Sequence, residues 1–395
     1  MIRKFMPGFK KIILNILIFF KKFCLSFLVL VYFIFNFKNK KRLFQAIEKE
    51  GDKRLKITIL HWNRLGDALL LTPTLKAVKK KLPYSILTVV IKDKGALEVL
   101  KNNPYIDNLQ FLDSWFLVLK FIIKNRKQKA SILLDLSLVH FYHSFIFRLF
   151  FKSKFRIGLE NHQKIGFFKL NNFNKLYDKV VKYNQSTPYL ADYFLSSLRL
   201  INIINTNNEL DFFPVINSND YINFKIPSYP YILIHPGTRN LENAYLNWDK
   251  VIDKIISTYN DYNIVIAGQV KDFNTIKFPY EKIKSRYKKI YFIQNTSLSQ
   301  LSKLIDNTSL FLGLDSGIAH LAVARKVNTI VIFGRADFKM YAPERENIEA
   351  VYSKDIDYPY FHFYDFFSHS KSLGACTKKI KSEDILHNIQ KLLTN

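Results

Sequence analysis

Cysteine is almost missing from this chain: Cys24 and Cys376 are the only two in 395 residues. Two thiols cannot build a disulfide framework or a four-thiolate zinc site, so a reducing, cytosol-facing location is the expectation. Histidine is sparse at nine residues, too few for an obvious metal cluster, and no metal ligands are assigned. A Walker A loop, an HExxH zinc helix and a GxSxG nucleophile elbow are all absent, which argues against three enzyme classes. Acid is short as well, with 32 Asp and Glu against 60 Lys and Arg, a formal charge of +28. Such an excess favours an anionic partner: a phosphate-rich substrate, an acidic lipid surface or nucleic acid. Apolar residues are plentiful at 48%, so packed cores are expected rather than disorder. The length fits two domains of about 150–200 residues each.

The chain changes character near residue 50. From Met1 to Arg42 there are ten Lys or Arg and no acid, interleaved with two apolar runs, Ile12–Phe20 and Phe23–Phe37. The second run, as a helix, would span about 22 Å, short of a hydrocarbon core roughly 30 Å thick. Residues 1–50 therefore read as a basic, apolar segment that associates with a membrane at its interface or as a hairpin. The lysines at its borders suit an anionic cytoplasmic leaflet, where each cation contributes about 1 kcal/mol. A signal peptide fits less well, because basic residues recur after the apolar run and no small-residue cleavage site follows. The alternative is an ordinary helix pair packed on the globule.

Beyond Lys53, short β-branched runs alternate with helical stretches, the pattern of an α/β fold. Strands are predicted at Lys56–Trp62, Ile86–Lys92, Asn108–Leu112 and Ser131–Leu136. Helices are predicted at Gly66–Leu82, Ala96–Asn103, Ser114–Lys127, Val139–Phe151 and residues 189–203. Around Asn205–Pro230 periodicity is lost and Asn, Pro and Ser accumulate, which makes 211–230 the linker between a first half, 51–210, and a second, 231–395. Alternation then restarts, with strands at Tyr231–His235, Asn263–Ala267, Ile290–Gln294, Leu310–Leu314 and Thr329–Phe333. Helices are expected at Trp248–Tyr259, Ser299–Asn307, Ile318–Arg325 and Ser382–Leu393, the last a candidate to pack back across the linker. Two such halves place a ligand cleft between them, at the carboxyl ends of both sheets.

Three loops that leave strands carry the chemistry-bearing residues. In His61-Trp62-Asn63-Arg64-Leu65-Gly66-Asp67, Gly66 permits a tight approach, and Asp67 reads either as an acid of the helix N-terminus or as a general base at the cleft mouth. His235-Pro236-Gly237-Thr238-Arg239-Asn240 offers close backbone, a hydroxyl and a guanidinium suited to phosphate oxygens, although a lone Pro-Gly turn is usually structural. In Gly313-Leu314-Asp315-Ser316-Gly317-Ile318-Ala319-His320 a strand breaks into a helix whose free N–H groups at Ser316 and Gly317 could hold a diphosphate. Taken singly, Asp315 reads as a cap and His320 as a core histidine; three such loops, each following a strand, shift the balance toward function.

As an ordered set, Arg64-Leu65-Gly66-Asp67-Ala68-Leu69-Leu70-Leu71-Thr72-Pro73, His235-Pro236-Gly237-Thr238, Leu314-Asp315-Ser316-Gly317-Ile318-Ala319-His320-Leu321-Ala322 and Ile330-Val331-Ile332-Phe333-Gly334 resemble the heptosyltransferase-type glycosyltransferases of family 9. The resemblance covers residues 55–393. It implies a GT-B architecture: an N-terminal Rossmann-like acceptor domain and a C-terminal Rossmann-like donor domain facing across a cleft. It also implies metal-independent, inverting transfer of heptose from ADP-heptose to the inner core of bacterial lipopolysaccharide, with no cofactor beyond the nucleotide-sugar donor. By resemblance, Asp67 is the base that accepts the acceptor's hydroxyl proton. Asp315, Ser316, Gly317 and His320 form the donor loop, and Thr238 lies near the donor phosphates. Asp272 lies near the place of an acidic ribose contact, and Thr296 near that of an adenine contact. Arg64, Gly66, Gly237 and Arg239 complete the candidate binding residues.

The sequence also departs from the family. Leu246 and Asn247 stand before Trp248 where the family often has a lysine, so either Arg239 supplies that charge or the donor differs. Tyr358–Phe367 lacks the cysteines that several members carry, and the basic N-terminal extension is not part of the usual core. A phosphorylated, lipid-linked saccharide acceptor at the cytoplasmic face of the inner membrane, engaged by a peripheral or monotopic enzyme, would account for the charge and the extension together. Asp67, at a helix N-terminus, is expected to have a low pKa and to act as a weak base, which suffices where the proton leaves late. The alternatives are the same fold acting on another nucleotide sugar for O-chain, capsule or glycolipid synthesis, a non-enzymatic protein of anionic membranes or nucleic acid, and a catalytically silent scaffold. No nucleic-acid module is recognisable, and no nucleic-acid partner is expected.

Overall fold

The computed structural model describes residues 55–394 other than 128–129, 139–141, 161–163, 166–167, 170–173, 175, 215–228, 276–277, 288 and 355–372. The expected membrane segment at 1–50 and most of the expected linker lie outside the described residues. In the first half, β1 (Lys56–His61), α1 (Leu65–Lys81), β2 (Ile86–Ile91), α2 (Lys94–Leu100), β3 (Asn108–Phe111), α3 (Trp115–Lys124), β4 (Ala130–Asp135), α4 (Tyr142–Phe150) and β5 (Ser153–Leu159) follow in order. A small antiparallel pair, β6 (Lys164–Ile165) and β7 (Phe168–Lys169), precedes β8 (Lys179–Val181) and α5 (Leu190–Arg199).

The second half runs β9 (Tyr231–His235), α6 (Trp248–Thr258), β10 (Asn263–Gly268), α7 (Val270–Thr275), α8 (Tyr280–Arg286), β11 (Ile290–Gln294) and α9 (Leu298–Asp306). It ends with β12 (Leu310–Leu314), α10 (Gly317–Ala324), β13 (Thr329–Phe333), α11 (Phe338–Tyr341), β14 (Ile348–Tyr352) and α12 (Ser382–Thr394). The sheets are six-stranded, in the orders β3-β2-β1-β4-β5-β8 and β11-β10-β9-β12-β13-β14, and every pairing within them is parallel. Each is a doubly wound sheet whose order reverses beside its first strand, so the crevices open after β1 and β4 in one half and after β9 and β12 in the other. Strands such as β9, β12 and β13 are buried along their whole length, as expected where helices cover both faces and the sequence reads as a continuous apolar run.

One apolar core is shared by the halves: it runs from Ile57, Leu69 and Leu134 of the first to Leu233, Phe311 and Leu321 of the second. The turn of α1 at Thr72-Pro73 helps seat that junction. Pro73 has no N–H to give the Leu69 carbonyl, and the Thr72 hydroxyl donates to it instead at 2.7 Å. The same hydroxyl oxygen accepts the Asp211 N–H at 2.9 Å, while Lys76 pairs with the Asp211 carboxylate, also at 2.9 Å. From the other side, Arg325 donates to the Phe212 carbonyl at 3.2 Å and Lys326 pairs with Glu209 at 3.1 Å. The segment before the expected linker is thus fastened to both halves.

The last helix departs from expectation. α12 packs with Ile385, Ile389 and Leu392 against Trp248, Val251 and Ile252, inside the second half rather than back across the linker. Its apolar stripe matches the open side of α6, and that is where burial is available. Among the described residues no helix is long and apolar enough to cross a membrane.

Candidate active site at the meeting of two helix N-termini

The loop after β1 is held by the loop after β4. Asn63, buried, donates from Nδ2 to the Leu136 carbonyl at 3.0 Å and accepts the Leu138 N–H on Oδ1 at 2.7 Å, and the Trp62 N–H donates to Ser137 Oγ at 3.1 Å. Asp135, at the end of β4, is buried against Arg148 at 2.5 Å and accepts the Tyr177 hydroxyl at 2.7 Å. That paired charge anchors the neighbouring loop. From this frame α1 starts at Leu65. Asp67, in its first turn, accepts the Arg64 N–H on Oδ2 at 3.1 Å, so the capping role proposed from sequence exists.

In the second half α10 starts directly after β12. Ser316 is the residue preceding the helix, yet its hydroxyl makes no cap bond and is buried without a hydrogen-bond partner. A buried, unpaired hydroxyl beside free helix N–H groups suits an anionic ligand. The two helix starts come face to face. A Cβ on Gly66 would stand 2.7 Å from His320 Cδ2 and 3.3 Å from Gly317 Cα, and one on Gly317 would stand 2.6 Å from Leu65 Cδ2 and 3.1 Å from the Gly66 nitrogen. Both glycines are therefore required by the approach of one half to the other.

That approach sets the electrostatics. Burial first pushes the Asp67 carboxyl up to about 6, against the Arg64 N–H and charge that favour ionisation. Burial, followed by the Asp67 charge, pushes Asp315 up to about 7, opposed by Arg335. The low pKa expected for Asp67 is corrected here: the opposing half removes water from the carboxylate, and desolvation outweighs the helix N-terminus. Burial takes His320 down to about 4, leaving a neutral imidazole whose centroid lies 6.1 Å from that of Tyr341. The Tyr341 phenol is held well above its ordinary value by burial and by the two carboxylates.

The remaining predicted residues lie along the carboxyl rim of the second sheet. Gly237 and Thr238 are buried in the loop after β9, where Thr238 Oγ1 accepts the Asn240 N–H at 3.3 Å; Arg239 is exposed on that loop. Asp272 falls on α7 after β10, its side chain outside the described set, and Thr296 is half-buried in the loop after β11. β10 and β11 are neighbours, so these two segments sit side by side. They flank the β9 loop. Arg64 is exposed at the start of α1.

Two residues that the sequence reading did not single out, Arg335 and Tyr341, stand nearer the carboxylates. Arg335 follows Gly334 at the end of β13, pairs with Glu242 at 3.1 Å, and donates its N–H to Asn243 Oδ1 at 3.2 Å. Gly334 allows this close packing, since a Cβ there would lie 2.4 Å from Asn243 Oδ1. A cation directly after a buried strand was the available signal. Further along the rim, a recess of about 730 Å³ at the start of α12 is lined by Lys250, Lys354, Lys378, Lys379 and Lys381.

Comparison with known proteins places this geometry. The model of glycosyltransferase family 9 (heptosyltransferase) matches residues 126–369. Lipopolysaccharide heptosyltransferase 3 of Escherichia coli is 23% identical over 314 residues, 73% of this chain and 86% of that protein. The glycosyl transferase family 9 structure from Veillonella parvula DSM 2008 superposes with a TM-score of 0.67 at 17% identity, covering 86% of this chain and 97% of that one. The E. coli heptosyltransferase WaaC with ADP-2-deoxy-2-fluoro heptose gives 0.61 at 12% identity, covering 85% and 99%. The structural likeness carries the fold, and the family match, spanning more than half of the sequence, carries the membership: the chain belongs to glycosyltransferase family 9 (heptosyltransferase), and it is a glycosyltransferase.

Proposed function

We propose that this enzyme transfers heptose from ADP-heptose to a phosphorylated, lipid-linked inner-core acceptor of lipopolysaccharide, with inversion and without a metal ion. The observation that carries the reading is the contact between the starts of α1 and α10, where Gly66 meets Gly317 and His320: Asp67 follows the first glycine, and Ser316, its hydroxyl buried and unpaired, precedes the second. The name of the E. coli relative and the fluorinated ADP-heptose that accompanies WaaC in its structure support the substrate pair. Residues 51–210 form the acceptor half, 231–395 the donor half, and 211–230 the linker. The acceptor hydroxyl oxygen bonds to the anomeric carbon, the carbon–oxygen bond to the diphosphate breaks, and the hydroxyl proton passes to Asp67. A pKa of about 6 makes Asp67 a stronger base than a surface aspartate while keeping it mostly ionised at neutral pH.

Charge grows on the departing diphosphate. The α10 N-terminus, the Ser316 hydroxyl and the Arg335 cation meet it, with Gly317 and His320 shaping the pocket and Thr238 and Arg239 on the neighbouring loop. Asp315, held near 7, carries its proton part of the time and can then donate to a phosphate oxygen instead of repelling it. Arg335 takes over the charge that the missing lysine before Trp248 would supply. The ribose is assigned to Asp272, on the helix after β10, and the adenine to Thr296, in the loop after β11. The formal charge of +28 supports an acceptor that carries phosphate. Such an acceptor places the enzyme peripherally at the cytoplasmic face of the inner membrane.

Asp67→Ala is expected to lower turnover by about 10²–10⁴-fold, the usual range for a general base, while calorimetric titration shows ADP binding largely unchanged. Normal turnover in that variant would remove Asp67 from the mechanism. Titration of the wild type in EDTA with ADP, ADP-heptose and UDP-sugars tests the donor: binding of UDP-sugars alone would replace ADP-heptose and keep the fold and the loops.

A further inference from the structure

α3 is apolar on two faces, and the structure uses only one. Val118 is buried, and Leu117, Phe121 and Ile122 pack with it against Phe147, Phe151 and Trp62. A turn away, Trp115, Phe116 and Ile123 are 58%, 61% and 69% exposed. Trp115 and Phe116 stand eight and seven residues before Ile123, about two turns, which puts the second set on one outward stripe. A helix apolar all round is ordinarily enclosed, and a soluble surface rarely leaves large aromatic side chains open together.

The charges around the stripe are nearly all of one sign. α3 contains no carboxylate. Lys120 and Lys124 lie on its outward side, Arg126 and Lys127 follow its end, and all four are exposed. Long basic side chains bordering Trp and Phe are the composition of a helix lying in a lipid headgroup layer, with rings among the acyl chains and ammonium groups at the phosphates. Position agrees with this. Trp115 lies at the carboxyl rim of the first sheet, on the side of the cleft, whereas the end of α3 reaches the amino rim, where β1 begins.

We infer that the outward face of α3 is a docking surface for an anionic phospholipid bilayer, distinct from the N-terminal segment and presenting the acceptor half of the cleft to the membrane. The inference deepens the proposed function, whose lipid-linked acceptor gives it a purpose, but its test needs neither donor nor acceptor and so fails or succeeds separately.

The chain has three tryptophans, and Trp62 and Trp248 are 2% and 1% exposed. Trp115 therefore reports this face alone. Full-length protein is mixed with phosphatidylglycerol or phosphatidylcholine vesicles carrying brominated acyl chains. The expected result is a blue shift and quenching with phosphatidylglycerol that disappears in Trp115→Phe, although that variant still sediments with the vesicles. The triple change of Trp115, Phe116 and Ile123 to Ser is expected to weaken the partition of the protein by about tenfold or more. Lys120→Glu with Lys124→Glu is expected to lower the quenching of Trp115 by phosphatidylglycerol. Unchanged Trp62 and Trp248 emission shows that the variants are folded. Bound protein with unquenched Trp115 overturns the inference, as does equal quenching by phosphatidylcholine. Shielding of Trp115 from acrylamide before vesicles are added also overturns it, because residues 1–54 or a second copy would then already cover the face.

Discussion

Two carboxyl groups whose ordinary value is 3.8 are held near 6 and 7 at one crevice, so the folded chain keeps protons that the unfolded chain has released. Between about pH 4 and pH 7 the unfolded state binds fewer protons than the native state. The linkage sign is therefore negative: this pair makes the fold less stable as pH rises through that window. Asp315→Asn is expected to flatten part of the slope, gaining stability relative to wild type at pH 8 but not at pH 4, as denaturant midpoints at the two pH values would show. Activity depends on both carboxyls. With Asp67 as base and protonated Asp315 donating to the diphosphate, kcat/KM is expected to rise through about pH 6 and to fall as Asp315 loses its proton near 7, and Asp315→Asn is expected to keep only the rising limb near 6. A profile that falls through pH 6 would mean that Asp67 works in its protonated form. The sign of the Asp67 shift was not legible in the sequence, because a helix N-terminus is a local feature and the half that desolvates it arrives from about 250 residues away. Which residues come together was more legible, since Asp67 and Asp315 each follow a strand that reads as buried.

At the scale of elements, the run Thr72-Pro73 in α1 shows how a sequence that looks unfavourable for a helix serves the junction. Thr72 is fully buried and satisfies both the Leu69 carbonyl freed by Pro73 and the Asp211 N–H. Thr72→Val keeps the shape and removes both bonds, leaving a buried acceptor and a donor unpaired, at a cost of about 1–3 kcal/mol each. A clear fall in denaturation midpoint is expected; an unchanged midpoint would show that α1 and the 205–214 segment do not depend on this hydroxyl. The α1–α10 contact makes a second test. Gly317→Ala puts a methyl against Leu65, which has to move, and a loss of about 1–3 kcal/mol of stability is expected, together with lowered kcat as Asp67 and Ser316 separate. Long apolar strands and capped helices were readable from the sequence, but β5, β8 and β14 were not. β5 carries Lys154 and Arg156, β8 has three residues, and β14 contains Glu349. Each joins the sheet on the side of an existing strand, so pairing decides it more than its own composition.

Taken whole, the molecule has two sheets but not two independent cores. Trp62 belongs to a cluster confined to the first half and Trp248 to one confined to the second, while the largest cluster crosses between them. Ion pairs at the seam, such as Lys326 with Glu209, are exposed and contribute little each. Coupling must come from the shared apolar packing, because unfolding one half would expose to water the side chains of the other that pack against it. The two halves are therefore expected to unfold together. With Trp115 replaced by Phe in both cases, a further Trp248→Phe change leaves Trp62 as reporter, and a further Trp62→Phe change leaves Trp248. In each variant the urea midpoint from fluorescence is expected to match that from far-UV circular dichroism of the same protein, which also cancels any shift caused by the substitution itself. Saturating ADP is expected to raise both reporters' midpoints, although its proposed contacts lie on the donor half, because ligand binding to the native state stabilises whatever unfolds with the site. Separate transitions, with only the Trp248 reporter responding to ADP, would mean that the shared core is too weak to couple the sheets. Opening and closing of the cleft would then be the motion of two autonomous domains rather than a distortion within one cooperative unit.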